Sequence, residues 1–120
     1  MVSKLTSTFL LLLCTTLGSA PGQGVKPCPS YNQLTAQRDL EKGTPKLFLP
    51  GGIAPLRRAE DPSIEKRFGF SYHDFGCVRL VDDRCLLAYS RVVFSYLDKK
   101  YGKAWRAGVR KDVLFLTAHP

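Results

Sequence analysis

The chain has 120 residues and carries 18 lysines and arginines against 10 acidic residues, a formal net charge of +8. This length fits one small domain and gives no room for a second one. Beyond the N-terminus, no segment is long and apolar enough for a transmembrane helix, which needs about 20 residues. The positive charge favours contact with an anionic polymer or an anionic lipid surface.

Residues 1–20 have the pattern of a secretory signal peptide. Lys4 precedes an apolar run at residues 5–13, and small residues follow at 18–20. A positive residue, an apolar segment and a small-residue exit are the three parts of such a signal. The structural alternative is a buried N-terminal helix. The pattern predicts an exported protein, located in the periplasm, at the cell envelope or outside the cell.

Cys14 allows a second interpretation of the N-terminus, because a cysteine that ends a leucine-rich segment can carry a lipid anchor. Leu13 disfavours it, since a lipidation signal has a small residue at that position. Membrane contact is therefore expected only if Cys14 is lipidated. The exact position of signal cleavage stays open. Residues 21–29 are predicted to form an extended tether, and residues 30–120 a single domain.

The first predicted elements are a short helix and a buried strand. Ser30 and Gln33 have the spacing of a capping box, which predicts a helix with Ser30 as its N-cap and Gly43 at its end. Leu34 is expected on the apolar face of this helix. Residues 47–49 are apolar and bounded by proline and glycine, so they predict a buried strand followed by a sharp turn.

A second helix and a second strand follow. Asp61 and Pro62 form a helix start signal, with Asp61 as the N-cap, and Gly69 ends the helix. Residues 70–75 are rich in aromatic side chains and predict a strand. A strand, a short helix and a strand in succession can form a crossover unit with parallel strands, and the strand direction stays open. An antiparallel pair is the alternative, because that helix is short.

The strongest pattern is the amphipathic stretch Asp83–Tyr101, where apolar residues recur at the three- and four-residue spacing of one helix face. A short helix around Trp105 and an apolar tail or strand at residues 113–116 follow. The predicted fold class is therefore α+β: one small domain whose long C-terminal helix packs on a two- or three-stranded sheet, with shorter helices at the margins. The residues of the long helix's apolar face are Leu86, Tyr89, Val93, Leu97 and Tyr101, widened by Leu87, Phe94 and Tyr96.

Residues 64–70 read Ile-Glu-Lys-Arg-Phe-Gly-Phe, and Gly-Lys-Ala-Trp-Arg begins at Gly102. With residues 45–55, 74–77 and 110–113, these segments resemble the FEKKY domain. That family of small exported bacterial proteins is named for a Phe-Glu-Lys-Lys-Tyr motif, whose outer aromatics are replaced here by Ile and Phe. The family has no assigned activity, so the resemblance implies an exported domain and no chemistry.

Three cysteines lie beyond residue 20, namely Cys28, Cys77 and Cys85. In an oxidising compartment an odd number predicts one bridge with one free thiol, or an intermolecular bond. We predict a Cys77–Cys85 bridge, because the turn-prone residues 81–83 can bring a strand end next to a helix start. Cys28 with either partner remains possible. The same pair underlies an alternative function, a thiol-active redox protein, although its spacing is not that of a Cys-x-x-Cys motif.

No catalytic, metal or cofactor site is predicted. His73, Cys77 and Cys85 lack a clear fourth ligand for zinc. His73 and Asp74 are adjacent in a strand and point to opposite faces, so they cannot easily form a hydrolytic dyad. The turn at Gly51 lacks the pattern of a phosphate-binding loop, and a tight turn is its expected role. An enzyme is therefore not favoured.

Cations and aromatic residues alternate near the C-terminus and form the best candidate binding surface. Such a mixture can engage anionic polymers by charge and by stacking. The structural alternative is that Trp105 packs in the core while the charges form a solvated face. The anion-binding candidates are Lys99, Lys100, Lys103, Trp105, Arg106, Arg110 and Lys111, with Tyr101 among them.

The leading functional hypothesis is a non-enzymatic exported domain that binds at the cell envelope through this basic C-terminal region. The partner stays open, with an anionic envelope polymer or an anionic lipid as the candidate. Nucleic acid is not expected as a partner of an exported protein, and no cofactor is predicted.

Overall fold

The computed structural model describes residues 27–53 and 57–118. It confirms the predicted fold class, because it is one small α+β domain whose long C-terminal helix packs on a two-stranded sheet. Within this described part, every helix is too short or too polar to cross a membrane. The predicted signal peptide and Cys14 lie outside the described residues. The elements in chain order are α1 (Gln33–Lys42), β1 (Lys46–Leu49), α2 (Asp61–Phe68), β2 (Ser71–Asp74), α3 (Asp83–Tyr101) and α4 (Trp105–Gly108).

The two strands are parallel, with Leu47 opposite Tyr72 and Phe48 opposite His73. The structure therefore has the parallel crossover arrangement, one of the two arrangements that the sequence left open. Residues 113–116 do not form a third strand, because they lie in turns. The N–H of Leu114 nevertheless donates to the carbonyl oxygen of Phe48 at 2.8 Å, on the edge of β1 away from β2. The C-terminal segment therefore covers the outer edge of β1 without extending the sheet.

The helix α3 begins and ends where the apolar spacing predicts. Asp82 is its N-cap, and its side chain accepts a hydrogen bond from the Arg84 N–H at 2.8 Å. Leu86, Tyr89, Val93 and Leu97 are fully buried against the sheet and α1. Burying side chains of this size stabilises a fold by about 1.5–3 kcal/mol each, which explains why this helix organises the core.

The helix α1 differs from the prediction in its start and in its buried face. Asn32, rather than Ser30, is the N-cap, and it forms a reciprocal pair of hydrogen bonds with Thr35. The helix therefore begins two residues later than the predicted capping box implied. Ala36 faces the core, whereas Leu34 is 63% exposed. A small residue at the contact lets α1 approach α3 closely.

Asp61 was predicted to cap α2, and that prediction is wrong. The N-cap is Glu60, which makes no capping hydrogen bond through its side chain. The Asp61 carboxylate is almost fully buried, accepting from the Arg58 N–H at 2.8 Å and from Arg110 Nη1 at 3.1 Å. Asp61 therefore ties the start of α2 to the C-terminal segment, a role that requires a distant partner.

Candidate anion-binding surface

The disulfide joins Cys28 to Cys85, and Cys77 is an exposed free thiol. The predicted Cys77–Cys85 bridge is therefore wrong, and the alternative redox function loses the bridge on which it was based. The physical reason is that α1 packs against α3, which brings the segment before α1 to the first turn of α3. A disulfide between residues 57 positions apart in the sequence fits an oxidising, exported location.

Trp105 and Arg106 are held by one carboxylate, that of Asp98. The indole Nε1 of Trp105 donates to Asp98 Oδ1 at 2.7 Å, and Arg106 Nη2 donates to Oδ2 at 2.9 Å. The Arg106 guanidinium, aided by Trp105, holds the pKa of Asp98 below its usual range, although partial burial opposes this. Trp105 is only 1% exposed, so its ring is part of the core and is not a stacking platform.

Arg110 is also part of the fold, since it is 4% exposed. It forms a two-point pair with Asp112 through Nε at 2.9 Å and Nη2 at 2.6 Å, and it reaches Asp61 through Nη1. These carboxylates, Asp112 above all, raise the pKa of Arg110. Its guanidinium is therefore committed to internal partners and is not a group that a ligand can reach.

The four lysines among the predicted residues are all exposed: Lys99, Lys100, Lys103 and Lys111. None of them forms an ion pair with any residue of the described ranges. The structure thus divides the predicted cluster by residue type. The two arginines and the tryptophan hold the fold together, and the lysines face solvent.

Lys100 lies between two tyrosines. Its Nζ donates to the hydroxyl oxygen of Tyr96 at 3.3 Å, and it lies 5.6 Å and 5.4 Å from the ring centroids of Tyr96 and Tyr101. The hydrogen bond to Tyr96 is the main reason that the pKa of Lys100 is raised. Lys100 therefore keeps its positive charge, and the two rings hold its ammonium group in place.

Arg67 belongs to the same surface, although the basic pattern of residues 99–111 does not include it. The hydroxyl of Tyr101 donates to the Arg67 carbonyl oxygen at 3.5 Å, and both residues line a shallow cleft of about 200 Å³ with Trp105 and Gly108. The basic last turn of α2 could have pointed to Arg67 as a candidate. The position of that turn beside α3, however, depends on the tertiary fold. We call the following residues the Lys100 surface: Arg67, Tyr96, Lys99, Lys100, Tyr101 and Lys103.

The other chemical candidates have structural explanations. His73 lies with Nε2 3.4 Å from the Tyr31 hydroxyl oxygen, and burial, aided by Lys46, lowers its pKa. It does not form a zinc ligand set with Cys77 and Cys85, because Cys85 is bonded to Cys28. A Cβ atom at Gly51 would collide with the carbonyl oxygen of Gly76. Glycine is therefore needed at this position because the backbones of two loops approach each other closely there.

No family model, no curated protein and no solved structure matches the chain. The Lys100 surface offers exposed cations with no ion-pair partner among the described residues, and one of them, Lys100, lies beside two tyrosine rings. Such an arrangement attracts anions.

Proposed function

We propose that this domain is a non-enzymatic, exported binding module that attaches to an anionic polymer or lipid surface of the cell envelope through the Lys100 surface. The observation that supports this proposal is the contrast among the cations near the C-terminus. Arg106 and Arg110 are used by internal carboxylates, whereas Lys99, Lys100 and Lys103 have no ion-pair partner in the described part of the chain.

Unpaired surface cations in one region produce a local positive potential that extends over roughly 8 Å at physiological salt. A repeating anion, such as a phosphate polymer or a layer of acidic headgroups, can meet several of these cations at once. Its binding then combines many weak contacts rather than one deep pocket. The shallow cleft beside Arg67 and Tyr101 is in keeping with a surface of this kind.

The tyrosines give this surface some order. A free lysine side chain loses rotamer freedom when it binds, which opposes association. Contact of the Lys100 ammonium with the rings of Tyr96 and Tyr101 restricts this side chain before any ligand arrives. The Tyr96 hydroxyl accepts from Lys100 and can still donate its own proton to an anion at the same place. Both effects favour the binding of an anion that accepts hydrogen bonds.

Export is the second part of the proposal. The Cys28–Cys85 disulfide fits an oxidising compartment, and the pattern of residues 1–20 is that of a signal peptide. Membership of the FEKKY domain family is part of the same proposal and adds no chemistry to it. An exported basic surface meets anionic wall polymers and lipids before it meets nucleic acid.

The test is binding of the purified domain to a poly(glycerol phosphate) polymer and to vesicles with and without acidic lipid. We expect retention at low salt that falls steeply as salt rises, because bound cations release counterions from the polymer. The variant Lys100→Gln with Lys103→Gln should bind several-fold more weakly. Its salt dependence should be shallower by roughly one unit of log–log slope per lysine removed.

The matched control is Lys66→Gln with Arg91→Gln, which removes the same charge from two other exposed positions. This control should bind much like the unaltered domain. Equal loss of binding in both double variants would mean that net charge alone is responsible. Absence of any retention at low salt would remove the proposal.

A further inference from the structure

A second basic site lies in a cleft between α1 and the start of β1. The cleft has a volume of about 320 Å³ and shares no residue with the Lys100 surface. Three cations and one carboxylate line it, which leaves a surplus of two positive charges. Its lining residues are Ser30, Tyr31, Thr35, Arg38, Asp39, Lys42 and Lys46.

This surplus already counts Asp39, whose carboxylate is bonded to internal donors. Its Oδ2 accepts from Lys46 Nζ at 3.1 Å and from the Tyr89 hydroxyl at 2.5 Å. Burial raises the pKa of Tyr89, so this hydroxyl stays protonated and keeps donating. Asp39 therefore acts as a positioning residue that fixes the Lys46 ammonium at the cleft wall.

Arg38 and Lys42 complete the positive lining. They are four residues apart on α1, hence neighbours on one helix face, and both are exposed. Neither forms an ion pair with any described residue, not even with Glu41, which is close to both in sequence. Like charges at this spacing repel each other. An anion held between them would remove that repulsion.

We propose that this cleft binds a phosphate monoester. The charge of such a group, about −1.5 to −2 at pH 7, matches the surplus of the lining. The guanidinium of Arg38 can donate two parallel hydrogen bonds to a phosphate, and the ammonium groups of Lys42 and Lys46 add point charges. The Ser30 hydroxyl is a further donor. The Thr35 hydroxyl is already bonded to Asn32.

The size of the cleft narrows the ligand class further. Small-molecule sites begin at roughly 300 Å³, so this cleft suits a phosphate group with a small polar substituent such as glycerol. The lining is polar, which excludes recognition of a long acyl chain within the cleft. A phosphomonoester is available both as a free metabolite and as a lipid headgroup. The site recognises the chemistry that the two sources share.

The experiment is an NMR titration of the isotope-labelled, disulfide-bonded protein with inorganic phosphate and with glycerol phosphate, each at constant ionic strength against chloride. We expect saturable shifts at Arg38, Lys42 and Lys46 with both phosphates and none with chloride. The double variant Arg38→Gln with Lys42→Gln should raise the Kd at least tenfold. Both residues are exposed, so the variant should fold, and its far-ultraviolet spectrum checks this.

The matched control is Lys100→Gln with Lys103→Gln, which removes the same charge from the Lys100 surface. Phosphate binding should survive in this variant even though polymer binding is weakened, so the two proposals can fail separately. Equal loss of phosphate binding in both variants, or equal shifts with chloride, would overturn the cleft site. Vesicles bearing phosphomonoester headgroups form a second arm of the experiment: recruitment that requires Arg38 and Lys42 identifies a lipid source, and binding of free phosphate alone identifies a soluble one.

Discussion

The two ends of α3 are attached to the rest of the domain by different chemistry. At the N-terminal end, the disulfide between Cys85 and Cys28 joins the first turn to the segment before α1. At the C-terminal end, Asp98 binds Trp105 and Arg106 through hydrogen bonds and an ion pair. One attachment is covalent and responds to reductant, and the other is ionic and responds to acid.

This difference shows how a domain of this size supplements a small core. About 100 residues bury only part of their surface, so a single core leaves a narrow margin of stability. The disulfide acts mainly by restricting the unfolded chain, while the Asp98 contacts act in the folded state. Substitutions at the two ends should therefore change the free energy of unfolding independently of each other.

The largest expected effect comes from removing the disulfide. The chain-entropy relation gives about 4 kcal/mol of lost stability for a loop of this length, so Cys28→Ser with Cys85→Ser should lower the free energy of unfolding by about that amount. Denaturant unfolding measures it, and the unaltered protein in strong reductant should behave alike. Cys77→Ser is the control and should leave stability unchanged. If the Cys77→Ser variant is the less stable one, the Cys28–Cys85 pairing is wrong.

A smaller effect is expected at the other end of the helix. Asp98→Asn keeps the shape of the side chain but removes its charge, and hydrogen bonds to a charged group contribute about 1.5–3 kcal/mol. We expect a loss of about 2 kcal/mol, with faster hydrogen exchange at Trp105 and Arg106. Asp83→Asn is the control, because its ion pair with Arg79 is largely exposed and should change stability by less than about 0.5 kcal/mol. Equal effects of the two substitutions would contradict the assigned role of Asp98.

The smallest effect is a pH dependence that separates the two attachments. Arg106 lowers the pKa of Asp98 below 3.8, so the folded state favours the ionised carboxylate. The stability that this supplies is fully present above that value and is lost as the pH falls through the lower folded pKa. The stability gap between the unaltered protein and Asp98→Asn should therefore narrow in acid. The gap produced by Cys28→Ser with Cys85→Ser should not narrow, and parallel narrowing of both would refute the distinction.

Much of the fold could be predicted from local patterns. The bounds of α3 follow from apolar spacing and from Asp82, and the two strands with the helix between them follow from their apolar runs and turn residues. These features depend on residues close in sequence. The direction of the strands stayed open, because the helix between them is short enough for either pairing. The start of α1 differs from the prediction because Ser30 and Asn32 both offer capping side chains, and Asn32 is the one that pairs with Thr35.

The site could be predicted only in part. The lysine-rich stretch was identified, but the burial of Trp105 and Arg110 depends on partners elsewhere in the chain, among them Asp61. The prediction of the disulfide partner is wrong for the same reason. Cys77 is near Cys85 in sequence, whereas Cys28 is near Cys85 in space. A single sequence gives the charges of a surface but not which of them the fold has already used.

The free thiol of Cys77 makes the domain convenient to study. Among residues 27–53 and 57–118, it is the cysteine outside the disulfide, and it is exposed. A maleimide fluorophore placed there would leave the disulfide intact and would lie apart from both basic sites in sequence. Fluorescence anisotropy from that one dye can then report attachment to a polymer or a vesicle, because the attached domain tumbles more slowly.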